Sequence, residues 1–361
     1  MVAMADIKLS RRKLKSLVQD TAKSAEAINL VYVSDLDNGI ARIKRGKNFI
    51  YELNKKPVMD EAILGRIKSL VIPPAWERVW ICKEENGHLQ ATGLDVMGRK
   101  QYKYHPLWTQ IRNHTKFYHL YEFGKALPDI RRRLTHDLAL SGLPLEKVLA
   151  VIVSVMQETG IRIGNGAYEK AYGSYGLSTL KDKHVKINGS EVRFVFRGKK
   201  GVEQDLKMKS RKLARLVKQC QDIPGKELFQ YYDVDGQRHS IDSGMVNTYI
   251  KEISGGHFTA KDFRTWTGTV QALLAFKQLG CANTATETKQ RIVAALDAVS
   301  LQLGNTRTVC KKYYVHPELL EMYECKALEK YIQELDAATT SKEENGLHHE
   351  ELVLMKILEK A

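Results

Sequence analysis

Hydrophobic and polar positions follow two different periods along this chain. From residue 31 the spacing is that of strands. VYVSD (31–35) alternates, as does IARIKRGKNFIYEL (40–53), where residues 45–48 make a turn between two alternating runs. Asp60–Leu70 breaks the pattern with helical apolar spacing, and Pro73 and Pro74 stop it. A second hairpin is predicted from Val79–Cys82, the turn at Glu85-Asn86-Gly87 and His88–Ala91, followed by a strand through Gly98–Tyr104.

Beyond residue 140 the period lengthens. Pro144 opens a segment whose Leu145, Val148, Leu149, Ile152, Val155 and Met156 recur at i, i+3, i+4 and i+7, the stripe of a buried helix. Further helices are expected over 209–221, 242–253, 265–280 and 283–301, one carrying Tyr314, and another over 317–337. One β insertion interrupts them: His184–Ile187, the Asn188-Gly189 turn, Val192–Phe196, a tip at 198–201 and Val202–Met208 read as two consecutive hairpins. The expected fold is α+β, with a small antiparallel-sheet N-terminal domain (30–114) followed by a mainly α-helical catalytic domain with a β-hairpin insertion (115–338). A basic leader (1–29) precedes them. A polar linker and a C-terminal helix that docks on the core (339–361) follow.

Composition narrows the function. The net charge is +15, from 57 basic and 42 acidic residues, which favours a polyanionic partner. Its distribution says more. Met97–Arg133 holds nine Lys/Arg against two Asp/Glu, interleaved with Tyr102, Tyr104, Trp108, Phe117, Tyr118 and Tyr121, and Lys181–Lys218 holds thirteen against four. A merely solvated face mixes signs and carries fewer aromatics. Five scattered cysteines with no CxxC or Cys/His spacing argue against a disulfide framework or a structural zinc site. No apolar run approaches a membrane span, and MVAMADIKLSRRKLKS lacks the apolar centre of a secretory signal, so a cytoplasmic, nucleoid-associated protein is expected.

The candidate chemistry lies in five separated residues: Arg162 in ETGIRIGN, Lys199 in RGKKG, Arg264 in AKDFRTW, Asn305 in LGNT and Tyr314 in CKKYYVHP. Two guanidinium groups to neutralise an oxyanion, a lysine to donate a proton, an amide and a phenol nucleophile suit metal-free chemistry on a phosphodiester. In type and order this set resembles the active site of the type IB DNA topoisomerases, specifically the small poxvirus and bacterial branch, over roughly residues 30 to 325.

The resemblance implies a role for each position. Arg162 corresponds to an arginine in a helix before a Gly-containing turn, and Lys199 to a lysine on a hairpin tip after a glycine. Lys261 and Arg264 match a KDxRT segment, and Tyr314 follows the basic pair Lys311 and Lys312 on a helix. Asn305, nine residues before Tyr314, replaces a histidine found in most members; an amide can donate a hydrogen bond but cannot exchange a proton at neutral pH. Tyr313 is adjacent, and Tyr314 is preferred on motif spacing. GRKQYKYH matches the segment that enters the DNA major groove, so Gln101, Tyr102 and Tyr104 are expected DNA contacts, as are Tyr168 and Lys261. Lys44, Arg45 and Lys47 are simple phosphate-binding candidates.

The implied activity is ATP-independent relaxation of supercoiled duplex DNA through a 3′-phosphotyrosyl intermediate, by a monomer that clamps double-stranded DNA, with no cofactor or metal. A tyrosine recombinase shares this chemistry, but it usually has histidine where Lys261 stands, three residues before the second arginine. A non-catalytic DNA-binding protein would leave the Arg162–Tyr314 set unexplained. A metal-dependent nuclease is least favoured, because no clustered DxD or ExK ligand pattern appears.

Overall fold

The computed structural model describes residues 21–46, 48–337 and 346–360; for residues 21, 113–118 and 337 only the backbone is described. Most of the basic leader, the turn residue Lys47 and most of the 339–348 linker lie outside the described residues. The chain divides into two compact units, residues 1–119 and 120–361.

The first unit is built on a six-stranded antiparallel sheet in the order β3-β2-β1-β4-β5-β6. Its strands are β1 (Ile40–Arg45), β2 (Asn48–Leu53), β3 (Lys56–Pro57), β4 (Glu77–Ile81), β5 (Leu89–Leu94) and β6 (Lys100–Tyr104). Helix α1 (Thr21–Glu26) precedes the sheet. Helix α2 (Glu61–Ser69) is capped by Asp60, whose carboxylate accepts from the N–H groups of Ala62 and Ile63. Ile67 of α2 packs with Ile40, Val79, Ile81 and Ala91 as the sheet's core.

Residues 31–35 were expected to form a strand and make only a one-residue bridge at Val31. The side chain of His88 takes the place of a ladder partner there: its Nδ1 accepts from Val33 N at 3.0 Å, and its ring stacks on Tyr32 at 4.2 Å.

Helix α3 (Pro106–Asp137) is long and continuous, so the boundary expected near residue 114 falls inside a helix. The aromatic and basic residues of that stretch mask its apolar stripe, of which Trp108, Ile111, Leu120, Phe123, Leu127 and Ile130 are buried.

In the second unit α4 (Leu145–Thr159) is the central helix, with Val148 to Val153 buried without interruption. Around it lie α5 (Gly166–Tyr172), α6 (Arg211–Gln221), α7 (Ser243–Ser254), α8 (Ala260–Leu279) and α9 (Ala285–Leu303). After these come α10 (Arg307–Tyr313), α11 (Pro317–Glu324), α12 (Glu329–Ala337) and α13 (His349–Lys360). The single helix expected over 317–337 is two, because Lys326 turns left-handed (φ 62°) between them. The β insertion is a three-stranded meander of β7 (Val185–Asn188), β8 (Glu191–Arg197) and β9 (Glu203–Lys209). Its alternating Val192, Phe194 and Phe196 face inward. A small hairpin, β10 (Gln230–Tyr232) with β11 (Arg238–Ser240), is too short to stand out in the sequence. Helix α13 buries Val353, Leu354, Ile357 and Leu358 in the core of this unit. No helix among the described residues is long and apolar enough to cross a membrane.

Candidate active site

Helix α4 ends at Gly160, whose left-handed conformation (φ 66°) turns the chain out of the helix. Arg162 therefore stands on the loop beyond α4, not within a helix as its motif implied. The loop is fixed by backbone bonds from Leu177 N to Arg162 O (2.8 Å) and from Ser178 N to Ile163 O (2.6 Å). Gly176 permits this approach, since a Cβ there would lie 2.5 Å from Arg162 O.

Arg264 lies in the second turn of α8 and is only 4% exposed. Its guanidinium donates to Gly160 O and, at 2.9 Å, to Leu303 O, the carbonyls at the ends of α4 and α9. Its Nε is buried with no hydrogen-bond partner. Burial, and then the charge of Arg162, lower its pKa to about 10, so it stays protonated at neutral pH.

Asn305 follows Gly304, the left-handed cap of α9 (φ 58°). Its Oδ1 accepts from Arg162 Nη2, and its Nδ2 lies 3.4 Å from Leu303 O. The amide thus holds Arg162 as an acceptor, which its sequence context did not suggest.

Tyr314 is the C-cap of α10, one residue past the helix that was expected to contain it. Two features of α8 fix its backbone. Thr269 Oγ1 donates to Tyr314 O at 3.2 Å, and Gly268 leaves room for the residue, since a Cβ there would meet Tyr314 O at 2.7 Å and Tyr314 Cβ at 3.1 Å. The ring of Tyr314 lies under the Arg264 guanidinium, with Cζ 5.1 Å from the centroid. Burial pushes the phenol up, but the charges of Arg264 and Arg162, hydrogen bonding from Arg264 and the charge of Lys261 outweigh it. The pKa falls below its ordinary value of 10.0. Tyr313 is exposed at the end of α10, beside Lys312.

Arg162, Arg264, Asn305 and Tyr314 therefore form one connected group, with Lys261 acting on it through its charge. Lys199 lies at the exposed tip between β8 and β9, in a 3-10 turn after Gly198. Tyr168 is exposed on α5, its ring 5.8 Å from that of Tyr172.

In the first unit Tyr102 and Tyr104 stack at 5.9 Å on one face of the edge strand β6. Strand alternation puts Gln101 on the other face, where its Nε2 donates to Asp95 Oδ2 at 2.8 Å. Asp95 also binds Arg99, which, with backbone N–H bonds, lowers its carboxyl pKa to about 2.

Sequence reading missed Gly268, Thr269 and Gly176. Glycine inside the helical run TWTGTV was the available signal for a close approach. Among the described residues, no group of three or more His, Cys, Asp or Glu could hold a metal ion.

A sheet-rich unit followed by a helical unit, with a tyrosine, two arginines and an asparagine drawn together at element ends, is the architecture of a type IB DNA topoisomerase. The family model for the eukaryotic DNA topoisomerase I catalytic core matches residues 106–339, and that for the bacterial DNA topoisomerase IB N-terminal domain matches residues 48–95. The DNA topoisomerase 1B of Acanthamoeba polyphaga mimivirus is 33% identical over 298 residues, covering 80% of this chain and 88% of the relative. Monkeypox virus DNA topoisomerase I and Vaccinia virus DNA topoisomerase 1B are each 25% identical over 288 residues, 77% of this chain and 88% of theirs. The chain belongs to the type IB DNA topoisomerase family and is a DNA topoisomerase.

Proposed function

We propose that this enzyme relaxes supercoiled duplex DNA by transesterification at Tyr314, with no metal ion and no ATP. The phenol oxygen attacks a DNA phosphorus in line, forming a P–O bond to tyrosine while the P–O5′ bond breaks. The products are a 3′-phosphotyrosyl link and a free 5′-hydroxyl. The phenol proton passes to water, and Lys199 delivers one to the departing O5′. Rotation of the free strand end releases supercoils, and attack by the 5′-hydroxyl restores the duplex and the phenol. The phosphoester energy is kept in the covalent link, so no ATP is needed.

The observation that carries this reading is the packing of the Tyr314 ring beneath the Arg264 guanidinium, with Cζ 5.1 Å from the ring centroid, an arrangement that lowers the phenol pKa. Water-exposed tyrosine, with a pKa near ~10, is a poor nucleophile at neutral pH. Here two guanidinium groups favour the phenolate and would equally stabilise the doubly charged transition state. In this reading Asn305 holds Arg162 in position and offers its own N–H to the phosphate. Lys261, Tyr168 and the β6 residues Gln101, Tyr102 and Tyr104 contact DNA, with Gln101 suited to reading adenine.

The test is supercoiled plasmid incubated with protein in EDTA without ATP. Relaxed topoisomer ladders and a denaturant-stable protein–DNA adduct are expected. Tyr314→Phe should abolish both while DNA binding persists, and Tyr313→Phe should keep substantial activity. Reversed phenotypes would move the nucleophile to Tyr313.

A further inference from the structure

The inward face of the β8–β9 hairpin carries one residue that breaks its apolar pattern. Val192, Phe194 and Phe196 on β8 and Met208 on β9 are buried, and so is Gln204, 8% exposed and paired in register with Phe196. A polar side chain in such a place needs a reason.

Its neighbours supply one. A Cβ on Gly198, the residue before Lys199, would lie 3.0 Å from Gln204 Cγ. A Cβ on Gly304, the residue before Asn305, would fall on the Gln204 amide, 2.6 Å from its Cδ. The stem of Gln204 thus rests on one glycine and its amide on the other.

These contacts complete a ring of connections. Tyr175 N donates to Arg197 O at 2.8 Å, Leu177 N donates to Arg162 O at 2.8 Å, and Arg162 binds Asn305. One side of the hairpin end is tied to the Arg162 loop, and Gln204 ties the other side to the Asn305 turn.

We propose that Gln204 is a positioning residue, which sets the Lys199 tip against the Arg162–Asn305–Tyr314 group by bridging Gly198 and Gly304. The inference rests on the reading of Lys199 as the proton donor to O5′. A hairpin tip is mobile by default, and a donor displaced by about 1 Å can cost on the order of 10²-fold in rate. If Gln204 works through Lys199, its loss should matter only while the leaving group needs a proton.

Two duplexes spanning a cleavage site mapped with the wild-type protein make the test. One has the natural oxygen at the scissile 5′ bridge, and the other has sulfur, which leaves as a thiolate without protonation. Single-turnover cleavage is measured for full-length wild type, Lys199→Ala, Gln204→Ala and Gln204→Asn. Asparagine keeps the amide but is too short to reach Gly304, and it disturbs folding least.

On the oxygen substrate Gln204→Ala should be slower by roughly 10- to 100-fold, with Gln204→Asn in between. On the sulfur substrate both should return to within a few-fold of wild type, as should Lys199→Ala. Rescue of Lys199→Ala without rescue of the Gln204 variants would overturn the positioning role, and so would unchanged cleavage of the oxygen substrate by both variants. Failure to rescue Lys199→Ala would overturn the proton-donor reading, and this inference with it.

Discussion

Glu351 gives the sharpest test of how the C-terminal helix is held. Its carboxylate is 5% exposed and receives Arg131 Nη1 and Nη2 at 2.7 and 2.8 Å, Trp266 Nε1 at 2.8 Å and His348 N at 2.9 Å. Glu351→Ala would strand the Arg131 charge and the indole N–H in the interior. Breaking a buried pair from one side costs about 3–5 kcal/mol. Arg131 keeps Gly346 O at 2.7 Å, which favours the lower end. At about 3 kcal/mol, and ~2–4 °C per kcal/mol for a unit of this size, Tm should fall by roughly 6–12 °C in calorimetry at pH 7. Glu351→Gln, which keeps one acceptor oxygen, should lose about half as much.

The pH dependence carries a sign. Burial raises the Glu351 carboxyl, but the Arg131 hydrogen bonds and charge, with Trp266 and His348, hold it below its ordinary value. A depressed folded-state pKa contributes stability that is complete above the unfolded value near ~4.3 and is lost as pH falls through the folded value. Glu351→Gln should therefore flatten the acid side of the stability curve and lower it at neutral pH. A Tm shift under about 2 °C for Glu351→Ala, or unchanged acid dependence for Glu351→Gln, would refute the reasoning.

Three further outcomes are expected. Asn305→His should remain active and Asn305→Ala should lose roughly 10²–10³ in cleavage rate; a folded histidine variant inactive at every pH would end the idea of a shared donor. Gly268→Ala should improve local helix propensity by ~1 kcal/mol yet push Tyr314 off its site, so cleavage should fall steeply even if Tm holds, and unimpaired cleavage would contradict the tight packing. On a substrate with a 5′-bridging sulfur, the alkaline rise in wild-type cleavage should level off below pH 10, and Arg162→Ala should move it to higher pH, because losing a nearby positive charge disfavours the phenolate.

The α+β order was legible because period-2 and period-3.6 runs occupy separate parts of the chain, and Asn188-Gly189 announced its turn directly. Helix α3 was not legible. Its charged and aromatic residues obscure the buried positions, and nothing local announces a helix that runs on through His114 and Pro128. Candidate site residues could be named because each has a local context, whereas how they meet is a tertiary fact. That Arg162 lies past the end of α4, that Tyr314 caps α10, and that Asn305 presents an acceptor to Arg162 all depend on where three helices stop. Gln204 and Gly268 were invisible for the same reason, since each acts on a segment far away in sequence.

The placement of Arg264 shows how a permanently charged group is kept inside a helical core and still acts on Tyr314. Its two backbone acceptors are Leu303 O, the last carbonyl of α9, and Gly160 O, on the cap that follows α4; helix C-termini leave partial negative charge and unpaired acceptors. Each such end is worth up to ~2 kcal/mol to a partly buried cation. No carboxylate is among these acceptors, so the guanidinium keeps its full charge, with the phenol ring 5.1 Å from Cζ. A carboxylate in their place would hold the arginine as well but would cancel the field that lowers the phenol pKa. The glycine caps matter here, because Gly160 and Gly304 turn the chain sharply after each helix, leaving the carbonyls aimed at Arg264 and carrying Arg162 and Asn305 back beside it. The same two helix ends therefore anchor one arginine and launch the residues that position the other.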